Sequence, residues 1–348
     1  MSAPATTPLN FYLSFSGESL APINNLYALS PSGEVVSTTV LETSQTYQEL
    51  RGMAFGPDGN LYVCEAYKGN SQVLQFTPPT SGYTWNFNRG YATPTASVGL
   101  LHPYDLAFGS DGNLYVSSQD TNVVTGFYGP TAQCPGTAMP SSTSLPVAPP
   151  PTPYYGGTIV PAWTAAPGVP PFPPVPVDLG GLTFASSGRS THSVRGVAFD
   201  NNGNLYAADE GNNRVVVYGP GSRHFPFLGA ITNSKNHSVQ GPVALWFDGD
   251  SLLYVGSPGN QRIFTYAVSG VASGNFEADS LVQDSTRLDK VSGIAVAGGY
   301  LYTCSRKTNT VYKWSTSGEF VAVFASGFPD TPEQIVPVYS GFGSSPAA

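Results

Sequence analysis

The sequence predicts an all-β fold, a six-bladed β-propeller of four-stranded antiparallel blades closed by pairing of the N- and C-terminal strands. Three observations predict it. The 348-residue chain is rich in turn and strand formers, with 39 Gly, 32 Pro, 20 Tyr and 19 Phe. Charged residues make up only 10%, against about 25% in ordinary soluble domains. A hairpin pattern recurs along the chain, and each chain end carries part of a further unit.

The recurring unit is an apolar strand, a Gly/Asp/Asn turn and a second strand. It reads Arg51-Gly52-Met53-Ala54-Phe55 then Gly59-Asn60-Leu61-Tyr62, and Tyr104-Asp105-Leu106-Ala107-Phe108 then Gly112-Asn113-Leu114-Tyr115. It returns as Arg195-Gly196-Val197-Ala198-Phe199 then Gly203-Asn204-Leu205-Tyr206. Two looser copies follow, Val243–Phe247 with Leu252-Leu253-Tyr254, and Ser292–Val296 with Tyr300-Leu301-Tyr302. Asp58-Gly59, Asp111-Gly112 and Asn202-Gly203 supply the positive φ of a tight hairpin. A third strand follows an Asn-bearing loop at Val73–Phe76, Val123–Phe127, Val215–Tyr218, Ile263–Tyr266 and Val311–Trp314. A fourth is clearest at Glu319–Phe324. One such sheet cannot bury both faces alone, and radial stacking solves that.

The chain ends supply the sixth unit. Asn10-Phe11-Tyr12 matches a second strand, Asn25–Leu29 a third and Glu34–Val40 a fourth, so Glu333–Val338 must provide the first. Closure of this kind removes exposed sheet edges. The marker tyrosines are 53, 91, 48 and 48 residues apart. The long gap coincides with a Pro-rich stretch, residues 130–176, read as an insertion within one blade of a single domain spanning 1–348. A seventh blade there is the alternative.

Charge and cysteine content narrow the function classes. Fourteen basic against 22 acidic residues give a net charge of −8, which does not fit a nucleic-acid binder. No apolar run reaches the ~20 residues of a membrane span, and Met1–Pro8 has no basic start or apolar stretch, so a cytoplasmic chain or a trimmed secreted form is expected. Cys64, Cys134 and Cys304 form neither a zinc pattern nor a disulfide framework. One sequon, Asn236-His237-Ser238, is present.

The units resemble NHL repeats and the wider six-bladed group that includes gluconolactonase-like and strictosidine-synthase-like proteins. The segment carrying the resemblance best is Gly203-Asn204-Leu205-Tyr206-Ala207-Ala208-Asp209, with Asn212-Asn213-Arg214-Val215 after it. The resemblance implies a site at the channel mouth where loops entering strand one and leaving strand two gather. It says little about chemistry, because the fold carries binding scaffolds, lactonases, lyases and cyclases.

Reading the repeat in register nominates residues. Four positions before the strand-one aromatic stand Arg51, Tyr104, Arg195, Val243, Ser292 and, by extension, Gln334. One position further along, a small residue is the rule, and Asp105 breaks it. Trp246 breaks a run of alanines two positions beyond that. Such breaks mark functional positions; the plainer reading has Asp105 bridging Arg51 or Arg195 and Trp246 filling a gap. Strand-two exits add Glu65, Tyr67, Gln119 and Arg306. His102 and His192 precede strand one in neighbouring blades and are suited to hydrogen bonding or general-base work. Expected catalytic residues are therefore Arg51, His102, Asp105, His192 and Arg195. Expected substrate-binding residues are Glu65, Tyr67, Tyr104, Gln119, Trp246, Arg306 and Gln334. Asp209 reads as structural, with Arg214 as its partner.

Chemistry is limited by what these positions lack. Lactonase-like relatives hold a divalent ion with a Glu, an Asn and an Asp. Asp105 and Glu65 align here, but no Asn completes the set. No Gly-x-Ser-x-Gly elbow or Ser-His-Asp order is present, and the Gly-rich turns are hairpins, not phosphate loops. The expected function is metal-free and cofactor-free: binding a hydrophobic, natural-product-like small molecule at the mouth. Cyclisation or cycloaddition is then promoted by orientation and hydrogen bonding. In size, and in lacking the metal set, the chain is similar to fungal propellers that act as hetero-Diels–Alderases. A calcium- or magnesium-dependent lactonase or lyase is one alternative, and a non-catalytic binding propeller is another.

Overall fold

The computed structural model describes residues 7–93, 100–139, 176–177, 193–220, 226–232 and 237–339. Among the described residues the strands form six four-stranded sheets. Blade 1 runs Leu50–Phe55, Leu61–Glu65, Gln72–Thr77 and Asn86–Ala92. Blade 2 runs Pro103–Phe108, Leu114–Ser118, Val123–Phe127 and Pro176–Val177. Blade 3 runs Val194–Phe199, Leu205–Asp209, Arg214–Tyr218 and Phe227–Ile231. Blade 4 runs Leu245–Phe247, Leu252–Ser257, Arg262–Ala267 and Asp279–Gln283. Blade 5 runs Val291–Ala297, Tyr300–Ser305, Thr310–Ser315 and Phe320–Ser326. Blade 6 joins Pro332–Val338 to Asn10–Phe15, Tyr27–Leu29 and Val35–Ser37. The first strands of successive blades touch in a closed cycle, blade 6 returning to blade 1. The chain is a six-bladed β-propeller, closed as the sequence predicts.

The repeat motif explains itself in the hairpins. Gly59, Gly112 and Gly203 have φ of 76°, 74° and 77°. The preceding Asp side chain is a latch. Asp200 accepts the Asn202 and Asn204 amides at 2.9 Å each, Asn204 Nδ2 at 2.7 Å and the Tyr206 hydroxyl at 2.9 Å. Asp58 and Asp111 hold Tyr62 and Tyr115 the same way, at 2.9 and 2.8 Å. Tyr62 and Tyr115, so anchored, and Tyr12 pack on the inner-strand aromatic of the next blade. Tyr62 meets Phe108 with centroids 4.9 Å apart, Tyr115 meets Phe199 at 5.0 Å and Tyr12 meets Phe55 at 6.3 Å. These contacts fill the cores between blades.

Most of residues 130–176 lies outside the described residues. Its near anchor, Phe127, pairs with Leu114, the hairpin end of blade 2. That is the face opposite the mouth.

Candidate functional site

A β-bulge recurs where the inner strands approach the axis. Pairing shifts between Leu50 and Met53, Pro103 and Leu106, Val194 and Val197, and Val291 and Gly293. A bulge leaves backbone N–H groups unpaired and turns side chains toward the centre. Two stacked rings result. The upper ring is Arg51, Tyr104, Arg195, Val243, Ser292 and Glu333. The lower ring is Gly52, Asp105, Gly196, Ala244, Gly293 and Gln334.

Gln334 is thus displaced by one residue from its expected place. In blade 6 Leu13 faces Ile335 and Phe15 faces Pro332, matching Met53 and Leu50 of blade 1. Glu333 therefore takes the upper position and Gln334 the lower. The closing strand carries no Leu-Tyr hairpin to count from, and aligning Pro337, opposite Phe11, with Phe55 would have found it.

The lower ring seals the axis. A Cβ on Gly52 would stand 2.5 Å from the Asp105 Cα, and one on Gly293 2.8 Å from the Gln334 Cα. Asp105, 5% exposed, accepts the Leu106 amide at 2.9 Å, the Val197 amide at 3.1 Å and Gln334 Nε2 at 3.0 Å. Gln334 Oε1 accepts the Met53 amide. The two side chains thus satisfy N–H groups that the bulges release. Burial pushes the Asp105 carboxyl up to about 7, with those three donors opposing the rise. A cavity of about 10 Å³ remains beside Asp105, Ala244, Ser292 and Glu333, the order of one water molecule.

The upper ring is a charged network. Glu333 is 1% exposed. It accepts the Tyr104 hydroxyl at 2.6 Å and lies 3.1 Å from Arg51 Nη1 and 3.4 Å from Arg306 Nε. Glu18 binds Arg51 at 2.5 Å and Arg306 at 3.2 Å. Burial alone would raise the Glu333 carboxyl, but Arg51, Arg306 and Tyr104 hold it below the usual range. Arg195 lies over the Tyr104 ring at 4.6 Å, donates to Gln119 Oε1 at 2.5 Å and pairs with Glu210 at 2.8 Å. Three guanidinium groups from blades 1, 3 and 5 thereby meet around one buried carboxylate.

Several polar atoms at this mouth are buried without a hydrogen-bond partner among the described residues. They are Arg51 Nε, both His102 ring nitrogens, Ser118 Oγ and Ser193 Oγ. Buried polar groups are ordinarily satisfied, and a cluster of exceptions lies at this mouth.

The structure gathers Arg51, Tyr104, Arg195, Gln119 and Arg306 at one level, with Asp105 and Gln334 beneath. His102 sits at the rim of the same mouth, with a φ of 55°. His192 lies outside the described residues, and the position equivalent to His102 in blade 3 is Ser193, as Val194 faces Asp209 and Pro103 faces Ser118. Tyr67 is exposed at the rim. Glu65 turns into its own blade, accepting from the Gln48 amide and from the Asn70 and Gln72 side chains at 3.0, 2.8 and 2.8 Å. Trp246 stands three residues down its strand from Val243, on the order of 10 Å away, and packs into the cores flanking blade 5. Asp209 binds Arg214 at 2.9 Å. Glu18, Glu49, Asp120 and Glu333 join the site: Glu333 holds the repeat position of Arg51 and Glu49 that of His102, as Leu50 faces Glu65 and Pro103 faces Ser118, while Glu18 and Asp120 lie in the connections after Phe15 and Ser118.

Asp105 and Glu65, the pair that aligns with a lactonase-like metal set, do not suit a cation. Their oxygens are committed to N–H donors. Among the described residues no three His, Cys, Asp or Glu side chains converge as metal ligands.

The profile of the NHL repeat matches residues 191–218. A search of curated proteins finds no match. Among solved structures, a chain of the nidogen/laminin complex is 13% identical, with 94% of this chain and 97% of that one covered and a TM-score of 0.56. A Lactobacillus plantarum protein is 12% identical over 91% and 81%, with a TM-score of 0.53. Virginiamycin B lyase from Staphylococcus aureus is 12% identical over 82% and 73%, with a TM-score of 0.48. At these identities the likeness is one of fold. No helix among the described residues is long and apolar enough to cross a membrane.

Proposed function

We propose that this six-bladed β-propeller, which carries an NHL repeat, is an enzyme acting on an apolar small molecule that bears carbonyl or hydroxyl groups. The substrate rests on the arginine-ringed mouth, and cyclisation or cycloaddition follows from orientation and hydrogen bonding, with no metal step. The observation that carries this reading is the convergence of Arg51 and Arg306 on Glu333, with Arg195 held over the adjoining Tyr104 ring, Arg195 and Arg306 being the partly exposed members. Such donors, fixed before the substrate arrives, favour oxygen atoms that gain negative charge in a transition state. Tyr104 is braced between Glu333 and Arg195 and supports that array. The small axial cavity leaves no room for an organic substrate below the upper ring, so the substrate lies above it. Exposed Leu20, Tyr67 and Leu101, with Val243 of the upper ring, supply the non-polar contacts. Holding reactive ends together contributes about 7–11 kcal/mol in favourable cases.

An intramolecular cyclisation leaves mass unchanged, which gives the test. Deleting the gene in the producing organism should cause an open-chain isomer to accumulate at the expense of a cyclic product of equal mass. Purified protein should convert that isomer with a chelator present. An unchanged metabolite profile, or conversion abolished by chelator and restored by calcium or magnesium, overturns the reading.

A further inference from the structure

We propose that Glu49, His102 and Asp120 form a proton relay at the mouth, in which one imidazole joins two carboxylates from neighbouring blades. The inference rests on the mouth being the reaction site and narrows the substrate class. The substrate must lose a proton at one atom and regain one at another, as a hydroxyl-bearing conjugated carbonyl does on closing a ring.

The geometry is that of a bridge. His102 Nδ1 lies 3.6 Å from Asp120 Oδ1, and Nε2 lies 4.0 Å from Glu49 Oε2. Neither nitrogen has a hydrogen-bond partner among the described residues, and the side chain is 10% exposed. The backbone is clamped in a left-handed conformation, its N–H donating to Ser71 Oγ at 3.0 Å and its carbonyl accepting from the Gln119 amide at 3.1 Å. The same left-handed conformation recurs at the equivalent Glu49 and Lys290, with φ of 50° and 54°, so the repeat itself fixes where this residue sits. The carboxylates, at 20% and 25% exposed, reach the mouth while the imidazole stays behind them. Glu49 and Asp120 are therefore the groups that meet substrate, and His102 is a positioning residue that connects them. Closing each gap by less than about 1 Å makes two hydrogen bonds of ordinary length.

The charges facing this group are Arg51, 3.9 Å from Glu49, Glu18, which binds the same Arg51, Lys68, 3.3 Å from Asp120, and Arg195. Burial, then Arg51, holds the imidazole below its ordinary value, with Asp120 opposing. Burial raises the Glu49 carboxyl, with Arg51 opposing. Neutral His102 accepts at one nitrogen and donates from the other. In a ring closure, Asp120 takes the hydroxyl proton, and the oxygen forms a C–O bond at the β-carbon of the conjugated carbonyl. The C=C π bond breaks and charge moves to the carbonyl oxygen, facing the arginines. Asp120 passes its proton to Nδ1, Nε2 releases one to Glu49, and Glu49 protonates the α-carbon. Exchange with water through the two exposed carboxylates restores the starting imidazole tautomer. No electrons leave the substrate.

The test begins without substrate. In the full chain labelled with 15N-histidine, the His102 resonances are identified by their loss in His102→Asn, since Asn tolerates positive φ. Asp120→Asn should move the His102 titration to lower pH, and Glu49→Gln should change the tautomer balance. A titration and tautomer balance unmoved by both variants overturns the relay. With the accumulated isomer as substrate, the wild-type pH profile should be bell-shaped. His102→Asn should lower kcat by ~100-fold or more, with KM changed less than about twofold, and lose that profile. Wild-type turnover with unaltered kcat in His102→Asn also overturns the relay. No conversion by wild type overturns the cyclisation reading instead, and the NMR coupling then decides the relay by itself.

Discussion

Glu333 accepts a 2.6 Å hydrogen bond from the Tyr104 hydroxyl, although 229 residues separate them. The bond crosses the mouth from blade 2 to blade 6, passing Arg51 of blade 1. A carboxylate on the closing strand therefore holds together side chains from three sectors of the ring.

Glu333→Gln should destabilise the protein by about 3–5 kcal/mol, the cost of leaving buried cations uncompensated. The folded carboxyl titrates below its ordinary range. Its contribution is thus present above the unfolded value of about 4.3 and is lost as pH falls through the folded one. Urea unfolding of both proteins should show a wide gap at pH 7 that narrows steadily into acid. A gap independent of pH would show that Glu333 acts by packing alone.

Asp105 behaves with the opposite sign. Its folded value is raised to about 7 by burial, against an unfolded value of about 3.9. The folded state binds more protons between these limits, so this group's contribution falls as pH rises through the window, by up to about 1.4 kcal/mol per pH unit. Asp105→Asn should remove that slope whatever it does to absolute stability. Thermal melts at half-unit pH steps check it.

Gly52→Ala should cost about 1–3 kcal/mol or more, because the added Cβ meets the Asp105 backbone at 2.5 Å. Gly59→Asn is the control. Gly59 has open space around it and a φ of 76°, which Asn adopts readily, so the change should stay within about 0.5 kcal/mol. Chemical denaturation of the pair separates axial crowding from turn geometry.

Asp200→Ala should cost about 3 kcal/mol, since buried Asn204 and Tyr206 lose the acceptor they share. The tyrosine hydroxyl is held high by burial and by Asp200. Its ultraviolet titration should therefore move toward an ordinary tyrosine in the variant.

Much of this molecule is legible in one dimension. The Gly-Asn-Leu-Tyr pattern with an Asp shortly before it encodes a turn and a latch of short sequence range, and presents the tyrosine to the next blade. Three full copies and two looser ones, with the two chain ends, therefore announce six blades, and Arg51, Tyr104 and Arg195 can be placed at one level by counting. Counting fails where the marker is missing. On the closing strand the inner hairpin partner comes from the other end of the chain, and a slip of one residue exchanges Gln334 for Glu333.

Local pattern determined the blades, their hairpins and the level of each inner-strand residue, because hydrogen-bond ladders and turn geometry act between near neighbours. Tertiary structure alone decided that Trp246 belongs to the cores flanking blade 5, that Glu65 serves its own loop, and that Glu333 rather than Gln334 gathers the arginines. Those outcomes depend on which side chains from different sectors meet around an axis. Strand alternation makes that meeting sensitive to a single residue of register.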